Sequence, residues 1–310
     1  MPTNQSVGKD STVTTRTWLI TGSSRGLGRS IAEAALAAGE NVVATARQPE
    51  QLADLLAQYP ATATAIALDV TEPASARAAV AQAVDRFGRL DVVVNNAGYA
   101  NSAPIEEMAE DDFRAQLETN LFGVVNVTRA ALPVLRGQRS GHFLQISSIG
   151  GRVGGTPGMG AYQTAKFGVE GFSEVLHTEV APFGVRVTIV EPGAFRTDWG
   201  GSSMTIHDVG TDYETTVGTM HGHRRRMDGT QNGDPARAAA VLVDVVRLDE
   251  PPLRLLLGSD AFFMAERSSR ARWEEAEQWE TVSRSTDYDA ASDFSTSSVA
   301  DLLAPRRRES

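Results

Sequence analysis

The sequence predicts an α/β fold: a doubly wound, seven-stranded parallel sheet in a single domain, with a C-terminal helical extension. Two observations lead there. Short β-branched runs alternate with stretches whose apolar residues recur every three to four positions, from about Thr15 to Gly258. The first of those runs also passes directly into a glycine-rich turn that opens a helix.

The expected strands are Thr17–Thr21, Asn41–Ala46, Ala63–Leu68, Leu90–Asn95, His142–Ser147, Val185–Val190 and Leu253–Leu257. The expected helices between them are Ser30–Ala38, Pro73–Phe87, Phe113–Leu135, Tyr162–Val180 and Pro235–Val246. Gly39 stands where a helix terminator belongs, and Thr71-Glu72-Pro73 has the form of a helix start. Residues 198–233 break the rhythm, being long, aperiodic and rich in Gly, Thr and His. This segment follows the sixth strand and is expected to be a substrate loop or lid at the carboxyl edge of the sheet, where ligands bind in such folds. Ala261–Trp279 has a helical pattern that Trp273 and Trp279 are expected to anchor. The resulting map is a disordered lead-in over 1–15, a catalytic domain over 16–260, and a helix with a mobile tail over 261–310.

Composition narrows the function. The chain has 310 residues with a formal net charge of −10, which argues against a nucleic-acid partner. The runs Arg224-Arg225-Arg226 and Arg306-Arg307-Arg308 are short and read as a solvated loop and tail. With no cysteine, disulfides, zinc–thiolate sites and a Cys nucleophile are excluded. His221 and His223 lie two apart without a third ligand at suitable spacing, so no metal is expected. The polar start and the lack of any ~20-residue apolar run predict a cytoplasmic protein with no membrane partner.

The turn is Thr21-Gly22-Ser23-Ser24-Arg25-Gly26-Leu27-Gly28. Glycines there let the backbone approach a pyrophosphate, and the helix N-terminus offers it unpaired N–H groups. An acidic residue ending the second strand would bind the ribose hydroxyl of NAD, but here the strand ends Ala46-Arg47. Arg47 and Arg25 suit a 2′-phosphate, so NADP(H) is expected over NAD(H), although Arg47 would equally cover an adenine face. Tyr162 and Lys166 lie four apart, on one face of a helix. An ammonium beside a phenol is expected to lower its pKa and make it a proton donor or acceptor. Ser147-Ser148 ends a strand upstream, and Asn95-Asn96-Ala97-Gly98 follows the fourth strand.

Together these pieces resemble the short-chain dehydrogenase/reductase family, in its single-domain Tyr-x-x-x-Lys branch with a Rossmann-type sheet. The resemblance covers Thr21–Gly28, Asp69, Asn95–Gly98, Asn120, Ile146–Ser148, Tyr162, Lys166, Pro192-Gly193 and Thr197, in the family's order. It implies hydride transfer between a nicotinamide cofactor and a small carbonyl or alcohol substrate. It also implies a catalytic set of Tyr162, Lys166, Ser148 and Asn120, the last holding a water in a proton relay. The implied cofactor site comprises Gly22, Ser24, Arg25, Gly26, Leu27, Gly28, Arg47, Asp69, Val70, Asn96, Ala97, Gly98, Tyr162, Lys166, Pro192, Gly193 and Thr197. A homodimer or homotetramer would form through the helices Phe113–Leu135 and Tyr162–Val180.

Ser148 stands one residue further from Tyr162 than the family's usual spacing, which an insertion within the glycine-rich 150–161 explains; Ser147 stays open as the alternative. Phe195, Trp199, Met204 and Met159 fall near the expected pocket, either lining it or filling the core. The reading from a different class is a non-catalytic redox sensor or interaction module that binds the cofactor without turning it over.

Overall fold

The structure is a computed structural model that describes residues 15–200, 204–288, 294–297 and 299–300. The expected lead-in, most of the tail and the Arg306–Arg308 run lie outside these residues. Seven parallel strands form the main sheet: β1 (Thr17–Ile20), β2 (Asn41–Ala46), β3 (Ala63–Ala67), β4 (Val92–Asn95), β6 (Gly141–Ile146), β7 (Val185–Pro192) and β9 (Arg254–Leu257). Two short strands, β5 (Ala100–Ser102) and β8 (Met204–Ile206), pair separately from it. The spatial order of the main sheet is β3-β2-β1-β4-β6-β7-β9. The order reverses between β1 and β4, and the carboxyl ends of those strands frame the crevice where ligands bind in open α/β sheets.

Side chains alternate across each strand and build two cores. Trp18, Ile20, Val42, Ala44, Val92 and Val94 meet α1 (Gly26–Ala37) and α9 (Pro235–Val246). Leu19, Val43, Val93, Phe143 and Val187 meet α3 (Pro73–Phe87), α5 (Gly123–Gln138) and α7 (Gly160–Val180). Local signals act as expected. Pro73 opens α3 and Gly88 closes it at φ 76°, while Asp234 caps α9 by accepting from the N–H groups of Ala236 and Arg237.

Three expectations are corrected. The helix expected over Phe113–Leu135 is two helices, α4 (Glu110–Leu117) and α5, joined by a π-helical turn at Glu118–Phe122. Residues 198–233 are not aperiodic: they hold β8 and α8 (Thr219–Met227), and β8 runs parallel to β5. The third concerns the two tryptophans of the last helical segment. Smaller helices, α2 (Ala53–Gln58) and α6 (Ile149–Arg152), complete the catalytic region.

The chain divides into two compact units, Met1–Ala265 and Glu266–Ser310. Helices α10 (Ser259–Gln278) and α11 (Glu280–Arg284) lie towards the C-terminus. Trp273 and Trp279 do not anchor α10, being 67% and 59% exposed. Trp273 instead donates its indole N–H to Glu277, one turn on.

Candidate active site

The turn after β1 is shaped by close backbone approach. Gly22 has φ +67°, and a Cβ there would lie 3.0 Å from the Ala97 backbone. On Gly28 a Cβ would come within 2.3 Å of Asn96 Nδ2 and 2.4 Å of the Gly22 carbonyl. Thr21 stitches the two strand ends together: its hydroxyl donates to the Val94 carbonyl and accepts from the N–H groups of Asn96 and Ala97. Asn96 returns its amide to the carbonyls of Thr21 and Gly22. Among the described residues no side chain caps α1, and its first turn holds no acidic residue. Its leading N–H groups and partial positive charge therefore suit an anion, and the residues present fit a dinucleotide pyrophosphate.

A cavity of about 1820 Å³ runs from this cradle across the carboxyl ends of the strands. Gly22, Ser24, Arg25, Gly26 and Leu27 line it at one end, with Arg47 beside them at the end of β2. Asp69, Val70, Asn96, Ala97 and Gly98 form its middle, and Ser147, Ser148, Tyr162, Lys166, Pro192, Gly193 and Thr197 its far wall. Gly28 is buried beneath the cradle. Asp69 accepts from the N–H and hydroxyl of Thr71, which fixes the turn after β3. Phe195, Trp199, Met204 and Met159 all reach the wall.

At the far wall β6 leads into Ser147 and Ser148, and α7 delivers Tyr162 and Lys166 one turn apart. The Tyr162 phenol lies beside Ser148, which favours its ionised form. Ser148 Oγ accepts from Gly150 N at 3.0 Å, capping α6. Ser147 is buried, and among the described residues its hydroxyl has no partner. It faces Gly151, on which a Cβ would lie 2.5 Å from its oxygen. Successive strand residues point apart, so Ser148 has the phenol and Ser147 does not.

Lys166 Nζ donates to the Ile146 carbonyl at 2.8 Å and lies 5.8 Å from the centre of the Tyr162 ring. Burial brings its ammonium down to about 8. The expected lowering of the phenol is not found. Burial pushes Tyr162 up to about 12, with the neighbouring Ser148 opposing the rise, because a phenolate there would forgo water. The Trp199 ring leans against Tyr162 with centroids 5.1 Å apart, and both line the cavity.

Asn120 lies within the π-helical turn, fully buried behind Gly98 rather than on the cavity wall. Its amide donates to the carbonyls of Tyr99 and Gln116, and its Oδ1 accepts from Tyr99 N. Two residues here escaped the sequence reading of individual positions. Thr21 is one, although its motif was read. Asp260 is the other: at the start of α10, it accepts from Ala194 N at 2.7 Å and stands where a Cβ on Gly193 would fall. An acid just after a strand-ending glycine was its available signal.

Comparison with known proteins agrees with this geometry. Residues 16–205 match the short chain dehydrogenase family. Oxidoreductase BOA17 of Botryotinia fuckeliana is 49% identical over 87% of this chain and 98% of its own length. The crystal structure of a short-chain dehydrogenase from Streptomyces avermitilis, 43% identical, superposes with a TM-score of 0.83 over 89% of this chain and all of its own. An alcohol dehydrogenase from Thermococcus sibiricus, solved with 5-hydroxy-NADP, is 27% identical with a TM-score of 0.64, over 79% of this chain and 96% of its own. No helix among the described residues is long and apolar enough to cross a membrane. With its fold, its glycine cradle and these relatives, the chain belongs to the short-chain dehydrogenase/reductase family and is an NAD(P)-dependent oxidoreductase.

Proposed function

We propose that the protein interconverts a ketone or aldehyde with its alcohol, using NADP(H), and that Tyr162 passes the proton. The observation that carries this is the grouping of Tyr162, Ser148 and Lys166 in a cavity continuous with the glycine cradle. A bound NADPH supplies the hydride. The substrate oxygen sits between two hydroxyls, Ser148 orienting it and Tyr162 giving it a proton as the alcohol forms. Lys166, tied to Ile146 and charged below a pH of about 8, holds the cofactor ribose and offsets charge on the phenol oxygen. Asn120, its side chain held by Tyr99 and Gln116, holds the relay water.

The family sites at Asp69, Val70, Asn96, Ala97, Gly98, Pro192, Gly193 and Thr197 hold the adenine, ribose and carboxamide ends of the cofactor. The 2′-phosphate goes to Arg47 with Arg25; both residues are exposed at the lip of the cavity, and no acid ends β2. The NADP-bound Thermococcus relative supports this choice. The protein works in the cytoplasm as a homodimer or homotetramer through α5 and α7, the latter exposing Phe167 and Val175.

NADPH oxidation against a panel of ketones and aldehydes tests the reaction; no turnover of any carbonyl would overturn it. Arg47→Ala should weaken NADPH at least about tenfold and NADH little, since a charge-assisted bond contributes ~1.5–3 kcal/mol. Equal affinity of the unmodified protein for the two cofactors, by calorimetry, would defeat that assignment. Ser148→Ala should lower kcat at least about tenfold, and Ser147→Ala no more than about threefold. The reverse ranking would hand the carbonyl to Ser147.

A further inference from the structure

The run Arg224-Arg225-Arg226 is not uniformly solvated. Arg225 and Arg226 are exposed, whereas Arg224 is half-buried on the cavity wall. Its Nη1 donates to Ser102 Oγ at 2.8 Å, and its Nη2 reaches the Pro157 carbonyl at 3.5 Å. Ser102 Oγ also lies 2.8 Å from Nε2 of the buried His221. A guanidinium only donates, so the Ser102 hydroxyl and the Pro157 carbonyl both accept from Arg224. Burial, with Arg224 and Arg225 nearby, keeps the pKa of the His221 ring below the usual value. Pro157 and Met159 lie just before α7, which places this assembly beside the start of the helix that carries Tyr162.

The partners of Arg224 are thus neutral. Arg16, Arg29, Arg89, Arg152 and Arg254 are half-buried as well, and each meets a carboxylate. Among the described residues Arg224 meets none. A partly desolvated cation without a counter-ion is costly unless something supplies one. Met159, Trp199 and Met204, packed about the phenol, line the same cavity as Arg224.

We propose that the substrate is an oxo acid: a carbonyl at Tyr162 and Ser148, an apolar body along the methionines and Trp199, and a carboxylate received by Arg224. The two oxygens of a carboxylate match the fork of one guanidinium, and its single charge balances it. The proposal rests on the carbonyl-reductase reading above.

The test is reduction of a series of methyl-ketone carboxylic acids, from levulinate upward, each beside its methyl ester, at saturating NADPH. For the best-fitting member the acid should exceed its ester in kcat/KM at least about tenfold, mainly through KM. In Arg224→Met that ratio should fall towards one, and Arg224→Lys, which keeps the charge without the fork, should lie between. Reading the ratio within each variant removes any loss from folding. Equal use of acids and esters by the unmodified protein would overturn the proposal, as would an Arg224→Met variant whose acid preference persists. The second outcome would mark Arg224 as a strut for α8. Either result with active esters leaves the reductase reading standing, whereas failure to reduce any carbonyl defeats that reading. In that case calorimetry of the same acids and esters on the NADPH-loaded protein gives the ratio. Tighter acid binding that depends on Arg224 supports the site, and equal binding overturns it.

Discussion

Tyr162→Phe is expected to lower carbonyl reduction at least about 100-fold at saturating NADPH while leaving cofactor affinity in place. The change deletes an acid and almost no volume, and the ring keeps its packing against Ala100 and Met159. Burial pushes the phenol up to about 12, so at neutral pH it holds its proton and is ready to give it to a nascent alkoxide. Lys166, brought down to about 8, is still an ammonium there. The pH dependence follows with a definite sign. Reduction should stay level through neutrality and fall as Lys166 loses its charge above a pH of about 8. Alcohol oxidation needs the phenolate and should climb with pH over the interval below that value. Initial-rate profiles in both directions check this, and Tyr162→Phe turnover within about threefold of the parent would remove Tyr162 as the donor.

Gly28→Ala is expected to weaken NADPH binding at least about tenfold and to lower the unfolding midpoint. The added methyl would meet Asn96 Nδ2 at 2.3 Å and the Gly22 carbonyl at 2.4 Å. Asn96 cannot swing away cheaply, because its amide bonds the Thr21 and Gly22 carbonyls, and the second contact is backbone. Forcing a methyl into such a site costs about 1–3 kcal/mol. Here the strain falls on the turn that would cradle the pyrophosphate. Calorimetric titration with NADPH and a thermal melt would measure both effects; parental affinity would show that the cradle can give.

What the sequence revealed follows from how local its signals are. Strand and helix periods placed the main sheet, because β-branched runs and capping residues such as Pro73 and Gly88 act over a few positions. Tyr162, Lys166 and the Gly22–Gly28 turn were legible for the same reason. The π turn was not: it adds a residue to a helix without interrupting the apolar period that runs on from α4 to α5. Helix α8 was hidden because it buries little beyond His221 and carries three adjacent arginines. The phenol's upward shift depends on how deeply distant elements enclose it, which no spacing encodes. Nor could three adjacent arginines be told apart before their neighbours were known, although of the three only Arg224 lines the cavity.

The pairing of β5 with β8 ties the segment that follows β7 to the chain just beyond the cofactor-lining Asn96–Gly98. It is a ladder of three residue pairs, Ala100 with Met204, Asn101 with Thr205 and Ser102 with Ile206. Beyond it, His207 N donates to the Ser102 carbonyl, and Asp112 accepts from Asn101 Nδ2 while meeting His207 Nε2. The two sheets therefore differ widely in the free energy needed to open them. Parting the small one breaks a few bonds and uncovers the small cluster about Tyr162, whereas parting the large one exposes both apolar cores. Residues beside Met204 can thus be exchanged in the course of evolution while the cradle and the main sheet keep their shape. On the proposed reading, in which Trp199, Met204 and Arg224 receive the substrate, its choice and the maintenance of the scaffold are borne by separate stretches of the chain, so one can drift without endangering the other.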